Sequence, residues 1–425
     1  MPHDSYVRGR LTPWFIAAVL ALAAIAVAIT VIPWNAQVAP WSAIPAVEPT
    51  AIPLQSAAIT RIEQYQEASA WPLFLAWISP VAAALIWCSW SLVHRQRTSV
   101  VSRQRISRQR ISTVIGITVI AFAPLPFLLW ITTVRRDAGL DLRSAGVSTR
   151  TDIAGALLVA AVAITVVFVV DWLARRWPAR WWQVAVPVVV VLVVAGSWLT
   201  PLIATVSNQP PSPLLLAEVD ALQVDQQVSV IDVSVAEVSQ NRTTVNAVVT
   251  GFGATTHLSV YDTLLTDLST REVSAVLRHE VAHVVHDDVW WATAISALAA
   301  GALTAALAAG LHSERARRFV GIAPSASSLL PLMPVLAVFV TVVAAMSTPV
   351  VATVSRPVEI RADVTAVTTA TDEQALTDAI WQMSEINLAA VEPPRWRYVL
   401  FATHPTPSQR VSPIADVFVA EALGP

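Results

Sequence analysis

The chain has 425 residues, 55% of them hydrophobic and 13% charged, with a mean hydropathy of +0.60. That is too apolar for an ordinary water-soluble domain of this size. A net charge of −2 offers no basic face, so no nucleic-acid partner is implied.

Seven apolar runs stand out: Pro13–Ile32, Trp71–Val93, Ser112–Val134, Asp152–Leu173, Trp182–Val206, Val289–Leu311 and Leu329–Val354. Each has the ~20 residues needed to cross a ~30 Å hydrocarbon layer. The expected fold class is an α-helical polytopic membrane protein of about seven transmembrane helices, with the lipid bilayer as its first partner. Trp14, Trp71, Trp87, Trp90, Trp130, Trp181, Trp182, Trp290 and Trp291 fall mostly near predicted span ends, where indole suits the interface. Cys88 is the single cysteine and lies within a predicted span; it cannot form an internal disulfide and is expected to be a small core residue.

All 27 basic side chains are arginines. Arg8 and Arg10 precede the first span. Arg95, Arg97, Arg103, Arg105, Arg108 and Arg110 fill the second-to-third loop, and further groups lie at Arg175, Arg176, Arg180 and at Arg315, Arg317, Arg318. All of these share one side. The other side's short connections carry Arg61, Arg135, Arg136, Arg143 and Arg150. The positive-inside rule then places the N-terminus in the cytoplasm and residues 269–288 outside. The first span begins like a signal peptide, and Ala36 and Ala39 allow cleavage, but its apolar core is long for that and a retained anchor is expected.

Residues 33–70 are proline- and alanine-rich and are expected to form a loop, ending in a short amphipathic helix around Ile59–Ala68 that leads into span two. The basic run 94–111 repeats S-R-Q-R-I and is expected to be a solvated loop touching anionic headgroups. After span five, the proline break Asn208–Pro213 marks a change of environment. A helix is expected over Leu214–Val224 and a strand over Val228–Val235. A hairpin is expected from Thr243–Thr250 and Thr256–Tyr261 around Gly251–Ala254. This α+β segment is too small to stand alone comfortably and is expected to dock on the membrane helices. The tail reads as a helix over Asp372–Leu388, a loop, and a last helix after Arg410.

The chemistry sits in Ser269–Asp288, which reads as one helix. Ser269 and Glu272 form a capping box, and Val273, Val276, Leu277, Val281 and Val284 supply the apolar repeat. Within it lies H-E-x-x-H: His279, Glu280 and His283. On a helix, positions i and i+4 share a face, so both imidazoles can reach one ion, with Glu280 placed to hold a water as general base. A catalytic zinc site needs a third ligand and an open position. Glu359 is the best candidate, and Asp363, one turn later on the same face, would accept the free ring N–H of a ligand histidine. The competing reading makes Arg356, Glu359 and Asp363 a surface charge cluster at a span end. His257 reads as structural or exposed, and His286 as part of an interfacial helix end beside Asp287 and Asp288. His404, before Pro405, could donate to a developing oxyanion or be a plain loop histidine.

These residues resemble the type I CAAX prenyl proteases and the related HtpX-type membrane metalloproteases, in a bacterial-type form. The likeness covers roughly Leu214 to Val411. It rests on N-A-V-V-T-G-F-G (Asn246–Gly253), Y-D-T-L-L (Tyr261–Leu265), the H-E-x-x-H helix, S-R-x-x-E-x-x-A-D (Ser355–Asp363) and H-P-x-x-x-x-R (His404–Arg410). The resemblance implies a gluzincin-type zinc endopeptidase with His279, His283 and Glu359 on Zn2+ and Glu280 as base. His404 and Arg410 would border the site. Asn246, Ala247, Val248 and Val249 would pair with the main chain of a polypeptide substrate, by strand addition to an exposed edge. Eukaryotic members of that family face the cytosol with these elements, whereas the arginines here place them outside. Membrane-associated or envelope proteins are therefore the expected substrates. The competing classes are a zinc-peptidase-like sensor without general proteolysis and a transporter, but the spans carry almost no charge to favour the latter. The expected segments are 1–206 with five spans, 207–288 with the substrate-edge strand and zinc helix, 289–354 with spans six and seven, and 355–425 supplying the third ligand.

Overall fold

A computed structural model describes residues 12–35, 52–95, 103–178, 180–204, 208–228, 231–314, 318, 328–412 and 414. Among these, seven helical spans are long and apolar enough to cross a membrane, matching the seven predicted runs. The chain is a polytopic helical membrane protein with one small sheet. Helix α1 (Pro13–Val31) opens with Thr12 capping the N–H of Phe15 and with proline in its first turn. Helix α2 (Ser56–Arg95) runs unbroken for 40 residues, so the short helix expected at 59–68 and the second span are one rod despite Pro72 and Pro80. Most of the proline-rich stretch before it lies outside the described residues.

The third span is two helices, α3 (Arg103–Phe122) and α4 (Leu125–Asp137). Pro124 lacks a donor and disfavours helical backbone at Ala123, which breaks the ladder there. The basic run expected as loop is helical from Arg103 onward, because arginine, glutamine and isoleucine extend the span's first turns rather than end it. Helices α5 (Ala145–Arg176, capped by Ser144) and α6 (Trp181–Ala204) complete the N-terminal spans.

Next come α7 (Pro213–Asp225) and strands β1 (Asp232–Ala236), β2 (Ala247–Thr250) and β3 (His257–Tyr261). The sheet order is β1-β3-β2, with β1 parallel and β2 antiparallel to β3, so β2 is an edge strand. The β2–β3 connection needs glycine. Gly251 has φ +71°, and a Cβ there would meet Thr255 O at 2.2 Å and Pro201 Cγ at 2.6 Å. Helices α8 (Asp262–Asp267), α9 (Thr270–Val285) and α10 (Asp288–His312) follow. The predicted capping box of α9 is present in full. Alternation sends Val249, Leu258 and Val260 onto Val273, Val276, Leu277 and Val281 of α9, with Leu215, Val219 and Leu222 of α7 closing the core.

Between α9 and α10, Asp287 adopts φ 53°, a left-handed turn that redirects the chain into span six. Helix α11 (Met333–Ala366) is continuous for 34 residues. The expected boundary at 354/355 therefore falls inside one helix, which carries a membrane span at one end and Glu359 and Asp363 at the other. Helix α12 (Ala370–Ile386), helix α13 (Arg395–Phe401), which takes the place of an expected loop, and a short helix at 407–412 complete the chain.

Small residues let the spans approach: Gly301 of α10 lies where a Cβ would be 3.0 Å from Val190 of α6 and 3.1 Å from Leu20 of α1. Trp87, Trp181 and Trp182 are buried in this bundle rather than spread along an interface, and Trp87 Nε1 donates to Ser112 Oγ at 3.2 Å. Cys88 is half-buried in α2. Leu142 N donates to Asn241 O at 2.9 Å, and Thr243 Oγ1 to Gly139 O at 3.0 Å. The α4–α5 connection, with its arginines, thus lies on the same face as the sheet.

Candidate active site

Four separate stretches converge where α9 meets the sheet and α11. On α9, His279 and His283 stack edge to face with ring centroids 4.9 Å apart. Glu359 of α11 reaches between them: His279 Nε2 is 3.4 Å from Glu359 Oε2, and His283 Nε2 is 3.8 Å from Glu359 Oε1. The three ligand atoms lie within 4.8 Å of one another. An ion held tetrahedrally at about 2.0–2.1 Å separates its donors by about 3.3 Å, so this cluster is close to the spacing zinc requires. Glu359 Oε2 is buried and meets no donor at hydrogen-bonding angles among the described residues, although His404 Nδ1 comes within 2.8 Å. A divalent cation would satisfy that oxygen. The donor set and its geometry fit zinc.

Each outer ring nitrogen faces a carboxylate, which aims both inner ones at the same point. His279 Nδ1 lies 2.9 Å from Asp363 Oδ1, and Asp363 in turn accepts from Arg410 Nε at 2.8 Å and Nη2 at 2.6 Å. Asp363 is fully buried, and the charge-cluster alternative at a span end is thereby excluded. Burial alone would lower the His279 pKa, but Asp363 and Glu359 outweigh it and raise it to about 10. Asp363 likewise holds Arg410 above its ordinary range.

His283 Nδ1 lies 2.8 Å from Asp288 Oδ2. Asp288 is gripped by Arg361, whose Nη1 donates to Val31 O, the last residue of α1, at 3.1 Å. Sequence reasoning placed Asp288 only in an interfacial helix end; its role follows from the left-handed turn at Asp287. The neighbouring His286 is taken up by Thr365 Oγ1 at 2.8 Å.

Glu280 is set apart from the ligand cluster. Its Oε2 accepts from Val249 N on β2 at 3.0 Å. Burial pushes its carboxyl above the usual range, against the pull of His279 and His283. In the antiparallel ladder, Tyr261 N donates to Asn246 O, so Asn246, Val248 and Thr250 face β3 and the N–H and C=O groups of Ala247 and Val249 face the free edge. Asn246, Ala247, Val248 and Val249 all border a cavity of about 350 Å³ shared with His279, Glu280, His283 and Glu359. A second cavity, about 460 Å³, lies on the α12–α13 side of the same cluster. His404 borders both and is largely exposed; its contact is with the carboxylate of Glu359. His257 is buried away from the cluster, 2.9 Å from Asp232 and 2.8 Å from Ser234, a structural cross-strand ladder.

Residues 218–417 match the model of Peptidase family M48. Through this region the chain is similar to Peptidase family M48. It is 26% identical over 255 residues to the uncharacterized metalloprotease YhfN of Bacillus subtilis (strain 168), a span of 58% of each chain. The chain thus spans little more than half the length of that relative. The crystal structure of S. mikatae Ste24p has the same fold: TM-score 0.68 at 15% identity, covering 96% of this chain and 100% of that one. The M48 match and the Ste24p-like fold agree with the resemblance carried by the motifs.

Proposed function

We propose that this protein is a multi-pass, cell-membrane zinc endopeptidase that hydrolyses membrane-associated or envelope polypeptides on the extracytoplasmic side. The observation that carries this reading is the convergence of His279, His283 and Glu359 beside a buried Glu280 and an open sheet edge. Zinc held by those three ligands would supply a water of pKa near ~7 and polarise the scissile carbonyl.

The chain's own residues do the rest. A substrate strand added to β2 would take the free C=O and N–H groups of Ala247 and the C=O of Val249, which fixes its carbonyl over the site. Glu280, held to Val249 N, receives the proton of the attacking water and returns it to the leaving amine. A carboxyl raised by burial suits both halves of that exchange. His404, at the mouth of both cavities, is placed to donate to the oxygen on which charge develops. Arg410 acts through Asp363, fixing the tautomer of His279.

Detergent-purified protein with zinc should cleave casein in a chelator-sensitive manner. Glu280→Gln should keep its zinc and lose at least about a hundredfold of that activity, whereas His279→Ala or Glu359→Ala should lose zinc by metal analysis. Full cleavage by Glu280→Gln would overturn the mechanism.

A further inference from the structure

We infer that Arg397 forms a carboxylate-binding subsite in the larger cavity, selecting substrates that carry a free C-terminus or an aspartate or glutamate side chain. The inference rests on the endopeptidase reading and names a substrate class for it.

Arg397 projects from α13 into the wall of the 460 Å³ cavity that His279, Glu280 and Glu359 also line. A guanidinium has five N–H donors. Here one goes to Gln66 O at 2.6 Å and one to Ser69 Oγ at 3.1 Å, both neutral acceptors on α2. Among the described residues no carboxylate forms an ion pair with it, and burial pulls it below its ordinary range. The other two arginines nearby are placed differently. Arg410 is matched fork to fork by Asp363. Arg356 is absorbed at the C-terminal end of α13 by Tyr398 O, Ala402 O and the Tyr398 ring, 4.5 Å away, and borders neither cavity. With the two charges of zinc offset by Glu359 and Glu280, and Arg410 offset by Asp363, Arg397 would be left as excess positive charge in the cleft.

Removing a cation from water without a counter-ion is costly, and an incoming carboxylate relieves that cost with paired N–H···O bonds. Inside a peptide-binding cleft the available anion is a peptide carboxylate. Two neutral acceptors hold the fork still, so little further ordering is needed on binding.

The test is binding without turnover. Full-length Glu280→Gln protein, loaded with zinc in detergent, is titrated with fluorescein-labelled alanine- and leucine-rich heptapeptides and read by anisotropy. One pair ends in a free carboxylate or an amide; a second, amidated pair carries an internal glutamate or glutamine. Tighter binding of the charged member of at least one pair, on the order of tenfold, is expected, and the discriminating pair names the source. In the Arg397→Gln background the ratio should fall close to one, with Arg397→Lys retaining part of it. Zinc content confirms that each variant is folded. Equal binding within both pairs, or an undiminished ratio in Arg397→Gln, overturns the subsite. Absence of casein cleavage by the wild type would instead count against the endopeptidase reading, so the two failures are distinct.

Discussion

The imidazoles of His279 and His283 are each steadied by a carboxylate from a different element. Asp363 comes from the same helix as the third ligand, and Asp288 opens the helix after the histidines. Asp363 was readable because it lies one helical turn beyond Glu359 on one face. Asp288 was not, because a five-residue offset from His283 points elsewhere on a straight helix and only the φ 53° turn at Asp287 brings it back. Asp288→Asn should lower zinc affinity about 10–100-fold, measured by competition with a chromophoric chelator, while leaving the fold in place. Unchanged affinity would show that Arg361 and the helix break hold His283 without it.

At the level of elements, the turn after β1 that leads toward β2 is tied to α8 by one carboxylate. Asp262, first residue of α8, accepts from Val238 N at 2.9 Å, Ser239 N at 3.1 Å and Thr263 N at 2.9 Å. Burial would raise its pKa, but these bonds, with that of the Ser239 hydroxyl, outweigh it and hold the carboxyl below 3.8. A depressed folded-state pKa contributes stability that is complete above the unfolded value near 3.8 and is lost as pH falls through the lower folded value. Asp262→Asn should therefore cost about 1 kcal/mol or less at pH 7, after solvent screening. The gap in melting temperature from wild type should narrow as the pH falls below about 3.8. A gap that stayed constant with pH would mean shape, not charge, does the pinning. The hairpin was legible from Gly251 and flanking alternation. The helical start of α3 and the whole of α13 were not, because charge and proline signals mark solvent contact, whereas Arg and Gln are also good helix formers. Hydropathy likewise located the spans but could not tell an interfacial tryptophan from Trp87, buried over Gly116.

For the whole molecule, the structure sorts the arginines by face. Arg61 donates to Ala138 O and Arg143 pairs with Asp141 on the sheet side. Arg175 and Arg176 lie at the opposite end of α5, near the Pro178 carbonyl that His312 of α10 reaches at 3.0 Å. The side whose short connections carry fewer arginines therefore holds the His279–His283–Glu359 cluster, and with it the C-terminal segment through Arg410. Alkaline phosphatase fused after Pro425 should be active and a fluorescent protein dark; the reverse pattern would turn the molecule over. The tie from Arg361 to the main-chain oxygen of Val31 has a temporal meaning. Helix α1 supplies an anchor that a residue synthesised 330 positions later must find. The support that reaches His283 through Asp288 and Arg361 is thus complete only once α1 and α11 have met.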